Sequence, residues 1–314
     1  MKKSTGIIIA IIAVVAIALG LTQFKGNEPA YAQGELITVT DRNGEVQVPF
    51  MPENVVVLDY GSVDIMNELG IEPVALPKGS LPVYLEKFND EKYVDLGSLK
   101  SYDMEAIAAS EPDLIIIEGR QSEAIEEFQK LAPTLLLGND GDYFASLERQ
   151  AKAIGSIFGK DKEVEEKLAD ITKRKDELKE KTTALNANAL FLMINEGKYG
   201  AQGRDSRFGY VYEEFGFTPI DEAIESAAHG QDVTNEYIKE MNADYLIVLD
   251  RTYATGSGEG KATASETLEN ELVKTTDAYK NGNIIYVDPQ AWYVGGPGFT
   301  SANIVLEDME GAVK

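Results

Sequence analysis

Four of the seven arginines follow predicted buried strands, at the carboxyl ends where the ligands of open α/β sheets bind. These four are Arg120, Arg204, Arg207 and Arg251. Arg204 and Arg207 share one predicted loop, residues 197–209, after a strand at 189–194. Arginine is scarce in this chain, which has 53 acidic against 29 basic residues. A single arginine most often forms a surface salt bridge. Because guanidinium groups match planar oxygen ligands, the set predicts a cleft for a multiply charged anion with flat or aromatic oxygen-bearing groups.

A histidine and a tyrosine offer metal-binding atoms on the same predicted side. His229 is the chain's only histidine and precedes Gly230 in a predicted tight loop. Trp292 and Tyr293 follow a predicted strand near residues 284–288. A neutral imidazole and a phenolate oxygen together suit ferric iron, whereas one histidine cannot build a multi-histidine zinc or manganese site. The alternatives are an ordinary surface or core histidine and a packed aromatic residue.

Two similar halves flank one long charged segment. Residues 161–185 contain no Gly or Pro and carry apolar residues at helical spacing, which predicts one long helix. Residues 102–120 match residues 234–251, with three side chains at the same mutual spacing in each. The matching sets are Glu105, Asp113 and Arg120, and Glu236, Asp244 and Arg251. Strands alternate with helices, so we predict an α/β fold of two similar lobes with central, mostly parallel sheets joined by one long helix.

The pattern divides the chain into four parts. They are residues 1–32, an N-terminal lobe at 33–142, a helical region at 143–185 that includes the linking helix, and a C-terminal lobe at 186–314. The first part has a basic start, an apolar run at 7–21 and Ala30-Tyr31-Ala32 as a cleavage pattern, which predicts an export signal. If it is not cleaved, it would act as a short N-terminal membrane anchor.

Composition excludes some classes of site and partner. The chain has no cysteine, which rules out disulfides, thiolate metal sites and a lipid-modified N-terminal cysteine. Its formal net charge of −24 argues against a nucleic acid partner, because a polyanion would be repelled.

Five short motifs, in their order and spacing, carry a resemblance to a known family. They are PDLIIIEGRQS at 112–122, SRFG at 206–209, HGQ at 229–231, VLDR at 248–251 and DPQAWYVGG at 288–296. Through them the chain resembles the ferric-siderophore substrate-binding proteins of bacterial ABC importers, whose two lobes are joined by a single helix. It is most similar to the branch that binds catecholate siderophores such as enterobactin fragments and petrobactin. The resemblance covers essentially residues 36–314.

The resemblance implies a function and a set of roles. The chain would be an exported receptor that captures a ferric catecholate siderophore in the cleft and delivers it to an ABC importer for iron uptake. Arg120, Arg207 and Arg251 would hold the catecholate oxygens. His229 and Tyr293 would complete the iron's coordination when the siderophore supplies four donors. Two further candidates are Trp292, for ligand contact, and Arg204. The resemblance assigns no role to Arg204, which would act as a charge behind the residues that contact the ligand.

The resemblance also implies partners and a location. Receptors of this family dock on the permease through one acidic residue on each lobe, and Glu105 and Glu236 are the candidates. The alternative for both is a purely local role in stabilising the start of a helix, since acidic residues are favoured in the first turn. The expected protein is a monomer with no permanently bound cofactor, in the periplasm or at the outer face of the membrane, without the lipidated cysteine that anchors many relatives.

Two other functions stay open at this point. The same fold could serve haem or cobalamin, and haem also accepts a His or Tyr ligand. An enzyme is disfavoured, because the sequence shows no nucleophile elbow, no phosphate-binding glycine loop and no second histidine. A single linking helix predicts small rocking of the lobes rather than wide hinge closure.

Overall fold

The computed structural model describes residues 35–313, apart from 226, 228 and 257. The predicted export signal at 1–32 lies outside the described residues. None of the helices in the described part is long and apolar enough to span a membrane.

Strands and helices alternate along most of the described chain. The strands are β1 (Leu36–Asp41), β2 (Gly44–Pro49), β3 (Val55–Leu58), β4 (Ala75–Leu76), β5 (Val94–Asp95), β6 (Leu114–Ile117), β7 (Thr134–Leu136), β8 (Asn188–Asn195), β9 (Lys198–Gln202), β10 (Thr218–Pro219), β11 (Gln231–Val233), β12 (Tyr245–Asp250) and β13 (Ile284–Tyr286). The helices are α1 (Tyr60–Glu68), α2 (Met104–Ala109), α3 (Ile125–Phe128), α4 (Tyr143–Ile157), α5 (Asp161–Leu185), α6 (Tyr210–Glu213), α7 (Asn235–Met241), α8 (Arg251–Ala254), α9 (Ala264–Leu268), α10 (Asp277–Asn281), α11 (Pro289–Tyr293) and α12 (Phe299–Glu310). Short 3-10 helices span Val83–Asn89, Gly119–Ala124 and Val273–Thr275.

The N-terminal lobe is built on a parallel sheet. Its strand order is β5-β4-β3-β6-β7, and each neighbouring pair is parallel. The central strands β3 and β6 are the apolar runs VVVL and LIII, buried along their whole length because helices cover the sheet. The hairpin β1–β2 precedes this sheet. The predicted α/β lobe is confirmed here.

The C-terminal lobe has a mixed sheet. Its order is β11-β9-β8-β12-β13, with β10 also paired to β8. Strands β8, β10, β12 and β13 are parallel, whereas β9 and β11 are antiparallel to their neighbours. The prediction of one continuous loop at 197–209 is therefore wrong, because β9 occupies its first part. Glu196 and Gly197 both have positive φ, 51° and 79°, which closes the tight hairpin between β8 and β9.

The long helix predicted from the charged run is confirmed as α5. It begins at Asp161 and ends at Leu185, where Asn186 takes the left-handed conformation. Its buried seam comprises Val164, Ile171 and Leu178. These residues belong to a hydrophobic core that continues through α1, α4 and α12, so the two lobes share one core beside the linking helix.

The candidate ligand cleft

The two repeated segments fold in the same way. Asp113, just before β6, accepts hydrogen bonds from the backbone amides of Glu53 and Asn54, both at 2.9 Å. Asp244, just before β12, accepts from the amide of Asn188 at 3.0 Å, and its own amide donates back to the Asn188 side chain at 2.9 Å. In both lobes the carboxylate thus ties the start of one central strand to the start of its parallel neighbour. The register that follows places Arg120 and Arg251 just beyond the carboxyl ends of β6 and β12.

Arg120 and Arg251 have different partners. Arg120 Nη1 donates to the carboxylate of Glu118 at 2.6 Å. Arg251 Nε donates to the phenol oxygen of Tyr293 at 2.7 Å, and its Nη1 donates to Asn195 Oδ1 at 2.8 Å. Asn195 ends β8, the strand parallel to β12, so sheet pairing brings it beside Arg251. One guanidinium is neutralised by a carboxylate, and the other contacts neutral groups.

Tyr293 stands between two guanidinium groups. The guanidinium carbon of Arg207 lies 5.0 Å from the centre of the Tyr293 ring, and that of Arg251 lies 5.4 Å from it. Arg207 Nη2 also donates to the Tyr293 carbonyl at 3.0 Å. Burial lowers the pKa of Arg207, and the charge of Arg120 acts in the same direction. A guanidinium stays charged despite such a shift, so this cluster of like charges favours an anion beside it.

Two adjoining cavities lie at this cluster, between residues of both lobes. One, of about 330 Å³, is lined by Gly79, Ser80, Ser98, Leu99, Lys100, Arg120, Arg251, Thr255, Tyr293 and Val294. The other, of about 220 Å³, is lined by Asp59, Glu118, Arg120, Asn139, Gly141, Arg207, Tyr293, Val294 and Gly296. Arg120, Tyr293 and Val294 line both. The structure therefore brings together four of the predicted residues, three arginines and the tyrosine, around one space.

The smaller cavity also contains acidic groups. Burial raises the pKa of Asp59 to about 6, and the negative charge of Glu118 adds to the rise, against hydrogen bonds from Ser62. Asp59 accepts from Ser62 Oγ at 2.7 Å and from the Ser62 amide at 3.0 Å, which caps α1. The wall of the smaller cavity thus presents both signs of charge, whereas the charged side chains around the larger one are cationic.

Arg204 and Trp292 are absent from both linings as the described residues define them. Arg204 is exposed and forms ion pairs with Glu213 and, at 3.0 Å, with Glu222. Trp292 is buried, and its indole nitrogen donates to Asp308 at 2.8 Å. Arg204 therefore belongs to the outer surface of the C-terminal lobe, and Trp292 supports the cleft wall from behind.

His229 lies in a surface turn of the C-terminal lobe. It is exposed in the turn before β11, and its carbonyl lies against Gly200 of β9, where no side chain would fit. Among residues 35–313, with the gaps noted above, His229 is not part of either cavity wall. Of the two predicted iron ligands, the structure positions the tyrosine in the cleft and leaves the histidine on a surface loop.

Glu105 and Glu236 occupy equivalent places in the two lobes. Each is exposed in the first turn of its helix, α2 or α7, which Asp103 or Thr234 caps. Hydrogen bonds to its own backbone amide and to Thr234 lower the pKa of Glu236. Helix α7 starts two residues after β11 ends, whereas residues 96–103 separate β5 from α2. Each helix leads into the central strand that precedes a cleft arginine, β6 or β12, so the two acids are equivalent by the internal repeat.

Several cavity residues were not predicted from the sequence. Asp59 directly follows β3, and Glu118 directly follows β6. Both could have been found, because the strand-end rule that selected the arginines applies equally to acidic and amide side chains. Lys100 carried no comparable signal, since it lies in a loop whose path depends on the bridge between Gly79 and Ser98.

Comparison with known proteins gives consistent matches over nearly the whole chain. A family model described as "Periplasmic binding protein" matches residues 55–291. The petrobactin-binding protein YclQ of Bacillus subtilis is 41% identical, over 99% of this chain and 98% of that protein. The ferric-anguibactin-binding protein FatB of Vibrio anguillarum is 33% identical, over 95% and 96%. The crystal structure of the periplasmic catecholate-siderophore binding protein VctP from Vibrio cholerae aligns with a TM-score of 0.83 at 34% identity, covering 88% of this chain and 100% of that one.

Proposed function

Because this chain belongs to the periplasmic binding protein family, we propose that it captures a ferric catecholate-type siderophore between its lobes and delivers it to the permease of an ABC importer. The observation that carries the proposal is the convergence of Arg120, Arg207 and Arg251, from both lobes, on Tyr293. The names of the relatives support it, since they bind petrobactin, ferric anguibactin and a catecholate siderophore. Those relatives are binding proteins, and we propose that this chain likewise returns its ligand unchanged.

The charges fit this ligand. A ferric ion held by three doubly deprotonated catecholates has a net charge of about −3, which three guanidinium groups can balance through charge-assisted hydrogen bonds. The protein as a whole carries a formal charge of −24, so it repels such an anion at long range. The arginine cluster supplies a local positive region against that background.

We propose Tyr293 and His229 as ligands of the iron when the siderophore provides four donors. The Tyr293 oxygen faces the cleft and accepts a hydrogen bond from Arg251, which an iron-bound phenolate would retain. His229 is in a segment, residues 222–230, for which the described positions form neither helix nor strand. The proposal for His229 rests on the resemblance alone, because, among the described residues, the turn that carries it belongs to neither cavity wall.

Quenching of Trp292 fluorescence tests the proposal. Trp292 is the chain's only tryptophan and is buried next to Tyr293, so a coloured ferric chelate in the cleft should quench it. We would titrate wild type and Tyr293→Phe with ferric bis-catecholate and ferric tris-catecholate complexes. Tyr286→Phe, an exposed tyrosine on β13 of the same lobe, is the matched control.

The outcomes separate the candidate functions. Tight quenching by the bis-catecholate complex that weakens in Tyr293→Phe, and not in Tyr286→Phe, would support both capture and iron ligation. Tight binding unchanged in Tyr293→Phe would keep the receptor and reject the ligation. Binding of haem with a Soret band, or of cobalamin, without quenching by any catecholate would reject the proposal in favour of the second candidate.

We propose that Glu105 and Glu236 dock the loaded receptor, a monomer, on the permease. Their equivalent, exposed positions at the starts of α2 and α7 support this. Glu105→Ala and Glu236→Ala should lower siderophore uptake through a reconstituted importer without lowering ligand affinity, whereas Glu240→Ala, in the last turn of α7, should change neither. Uptake equal to wild type in both variants would reject the docking role, and light scattering of the loaded receptor at twice the chain mass would reject the monomer.

A further inference from the structure

The segment that follows Tyr293 is held by side chains from the other half of the molecule. Residues 294–298 link α11, which ends at Tyr293, to α12. This connector crosses the start of α1, a helix of the N-terminal lobe. The side chains that hold it are buried and polar, so they form a second junction between the lobes, besides the linking helix α5.

Asp64 of α1 is the main contact. It is fully buried, and its carboxylate accepts from the backbone amides of Thr300 at 3.1 Å and Ser301 at 2.9 Å, in the first turn of α12. A helix needs acceptors for these amides, and a side chain at its N-cap usually provides them. The N-cap here is Gly298, and a Cβ at that position would lie 2.7 Å from Asp64 Cγ. Asp64 therefore caps a helix of the opposite lobe, in a space that glycine leaves open.

Other groups hold the same connector. Gln150 Nε2 of α4 donates to the Pro297 carbonyl at 3.3 Å. The Tyr143 hydroxyl, also of α4, lies 3.2 Å from Ser301 Oγ. A Cβ at Gly61 would lie 2.6 Å from the Pro297 carbonyl oxygen, so α1 and the connector are in direct backbone contact. These buried polar groups hold the connector in one position, because a shift of the connector would cost each group a hydrogen-bond partner.

We infer that Asp64 is a positioning residue of the cleft, which fixes Tyr293 of the C-terminal lobe relative to Arg120 of the N-terminal lobe. Tyr293 is five residues before Gly298, and the clamp on α12 leaves the short connector little freedom. The inference rests on the proposed function. Under it, Asp64 affects which chelates bind, because the connector that it holds follows Tyr293 directly.

Two kinds of chelate depend on this geometry differently. A tetradentate chelate leaves iron positions open, so the Tyr293 oxygen must be at bonding distance from the metal. A hexadentate chelate fills the iron's coordination and needs the arginines, whose long side chains can adjust. A displacement of about 1 Å weakens a metal–ligand bond, which needs a fixed distance, far more than a hydrogen bond from a flexible arginine side chain. Loss of the Asp64 clamp should therefore weaken tetradentate binding selectively.

The test compares Asp64→Asn with Asp113→Asn. Both carboxylates accept two backbone amides, but Asp113 does so within one lobe. Affinities for ferric bis-catecholate and ferric tris-catecholate complexes would be measured by Trp292 quenching, together with the absorption of the bound iron. We expect Asp64→Asn to lower bis-catecholate affinity by roughly tenfold or more and tris-catecholate affinity by less than about threefold, and to shift the iron absorption of the bis-catecholate complex. Asp113→Asn should leave the ratio of bis-catecholate to tris-catecholate affinity, and the absorption of the bound iron, as in wild type.

Each outcome of this test either supports or overturns the inference. A lower melting temperature for Asp64→Asn with an unchanged affinity ratio would overturn the inference and make Asp64 purely structural. Equal losses for both chelates would also overturn it. If Asp64→Asn does not fold, Gln150→Met is the second variant; at similar volume it releases the Pro297 carbonyl and also the Gly138 amide. It should lower the ratio of bis-catecholate to tris-catecholate affinity in the same direction, and an unchanged ratio would overturn the inference. Failure of wild type to bind any ferric catecholate would instead reject the proposed function.

Discussion

The two lobes repeat one scaffold and surround their arginines differently. Asp113 and Asp244 tie the same pair of strand starts in each lobe, and Arg120 and Arg251 follow the equivalent strands. Yet Arg120 is paired with Glu118, whereas Arg251 contacts neutral oxygens of Tyr293 and Asn195. The repeat thus determines the position of each arginine. The neighbouring side chains determine whether its charge is neutralised by the protein or remains available to a ligand.

The largest effect is expected from Arg120→Gln. The substitution removes a charge-assisted hydrogen bond to the ligand, and it leaves the Glu118 carboxylate unneutralised at the cavity, where it repels an anion. We expect ferric-catecholate affinity to fall at least about 100-fold, as measured by Trp292 quenching.

The double variant Glu118→Gln/Arg120→Gln sharpens this comparison. Removing both charges should recover roughly tenfold of the lost affinity, because the repulsion is gone and only the attraction is missing. A double variant that binds no better than Arg120→Gln alone would show that Glu118 does not act on the ligand.

Arg251→Gln should have the next largest effect. It removes one charge-assisted contact, worth about 2 kcal/mol or roughly 30-fold in affinity. The described hydrogen-bond partners of Arg251, Tyr293 and Asn195, are neutral, so the substitution breaks no ion pair like that of Arg120 with Glu118. Glu118→Gln in this background should bring little recovery. Recovery as large as in the Arg120 background would break the proposed difference between the lobes.

Much of the scaffold was predictable because its signals are local. The apolar runs of β3 and β6 and the glycine-free charged run of α5 each determine their own conformation. The repeat then placed Arg120 and Arg251, since equal spacing after equal strands gives equal positions. Strand β9 was missed because the sequence KYGAQ is short and its strand character comes from pairing with β8 and β11.

Side-chain direction at the site could not be read from the sequence. Trp292 and Tyr293 are neighbours on α11, so they project about 100° apart, and packing decides which one enters the core. Arg204 and Arg207 belong to one loop, but only the second turns toward Tyr293. The position of His229 depends on pairing between β11 and β9, which no local sequence pattern predicts.

The stability that Asp64 contributes at the contact between the lobes should depend on pH. Burial raises the pKa of Asp64 in the folded protein from 3.8 to about 6, with a smaller contribution from Glu68. Between these values the folded state binds more protons than the unfolded chain, so rising pH lowers the free energy of unfolding. Relative to Asp64→Asn, which does not titrate there, wild type should lose on the order of 2 kcal/mol between about pH 4 and pH 7. Urea unfolding at several pH values measures this, and a constant difference would contradict it.

The scaffold itself should respond similarly in both lobes. Asp113→Ala removes the acceptor of two strand-start amides and Asp244→Ala that of one, so they should lower the free energy of unfolding by about 2 and about 1 kcal/mol respectively. Neither should change siderophore affinity, because neither carboxylate faces the cleft. Chemical unfolding of the two variants side by side checks this, and costs that differ by more than about twofold would limit the equivalence of the lobes to their backbone.

The smallest effect is expected from Arg204→Gln, and it tests whether position or charge alone governs binding. Arg204 precedes Arg207 by three residues in the same lobe, but it is exposed and already paired with Glu213 and Glu222. Exposed ion pairs contribute about 0–1 kcal/mol, and salt screens their field over about 8 Å at physiological ionic strength. Affinity should therefore change by less than about twofold, against a large loss for Arg207→Gln measured by the same quenching titration. A loss for Arg204→Gln that matches Arg207→Gln and disappears at high salt would mean that the lobe attracts its ligand through total charge, and the distinction between the cleft arginines and the surface ones would fail.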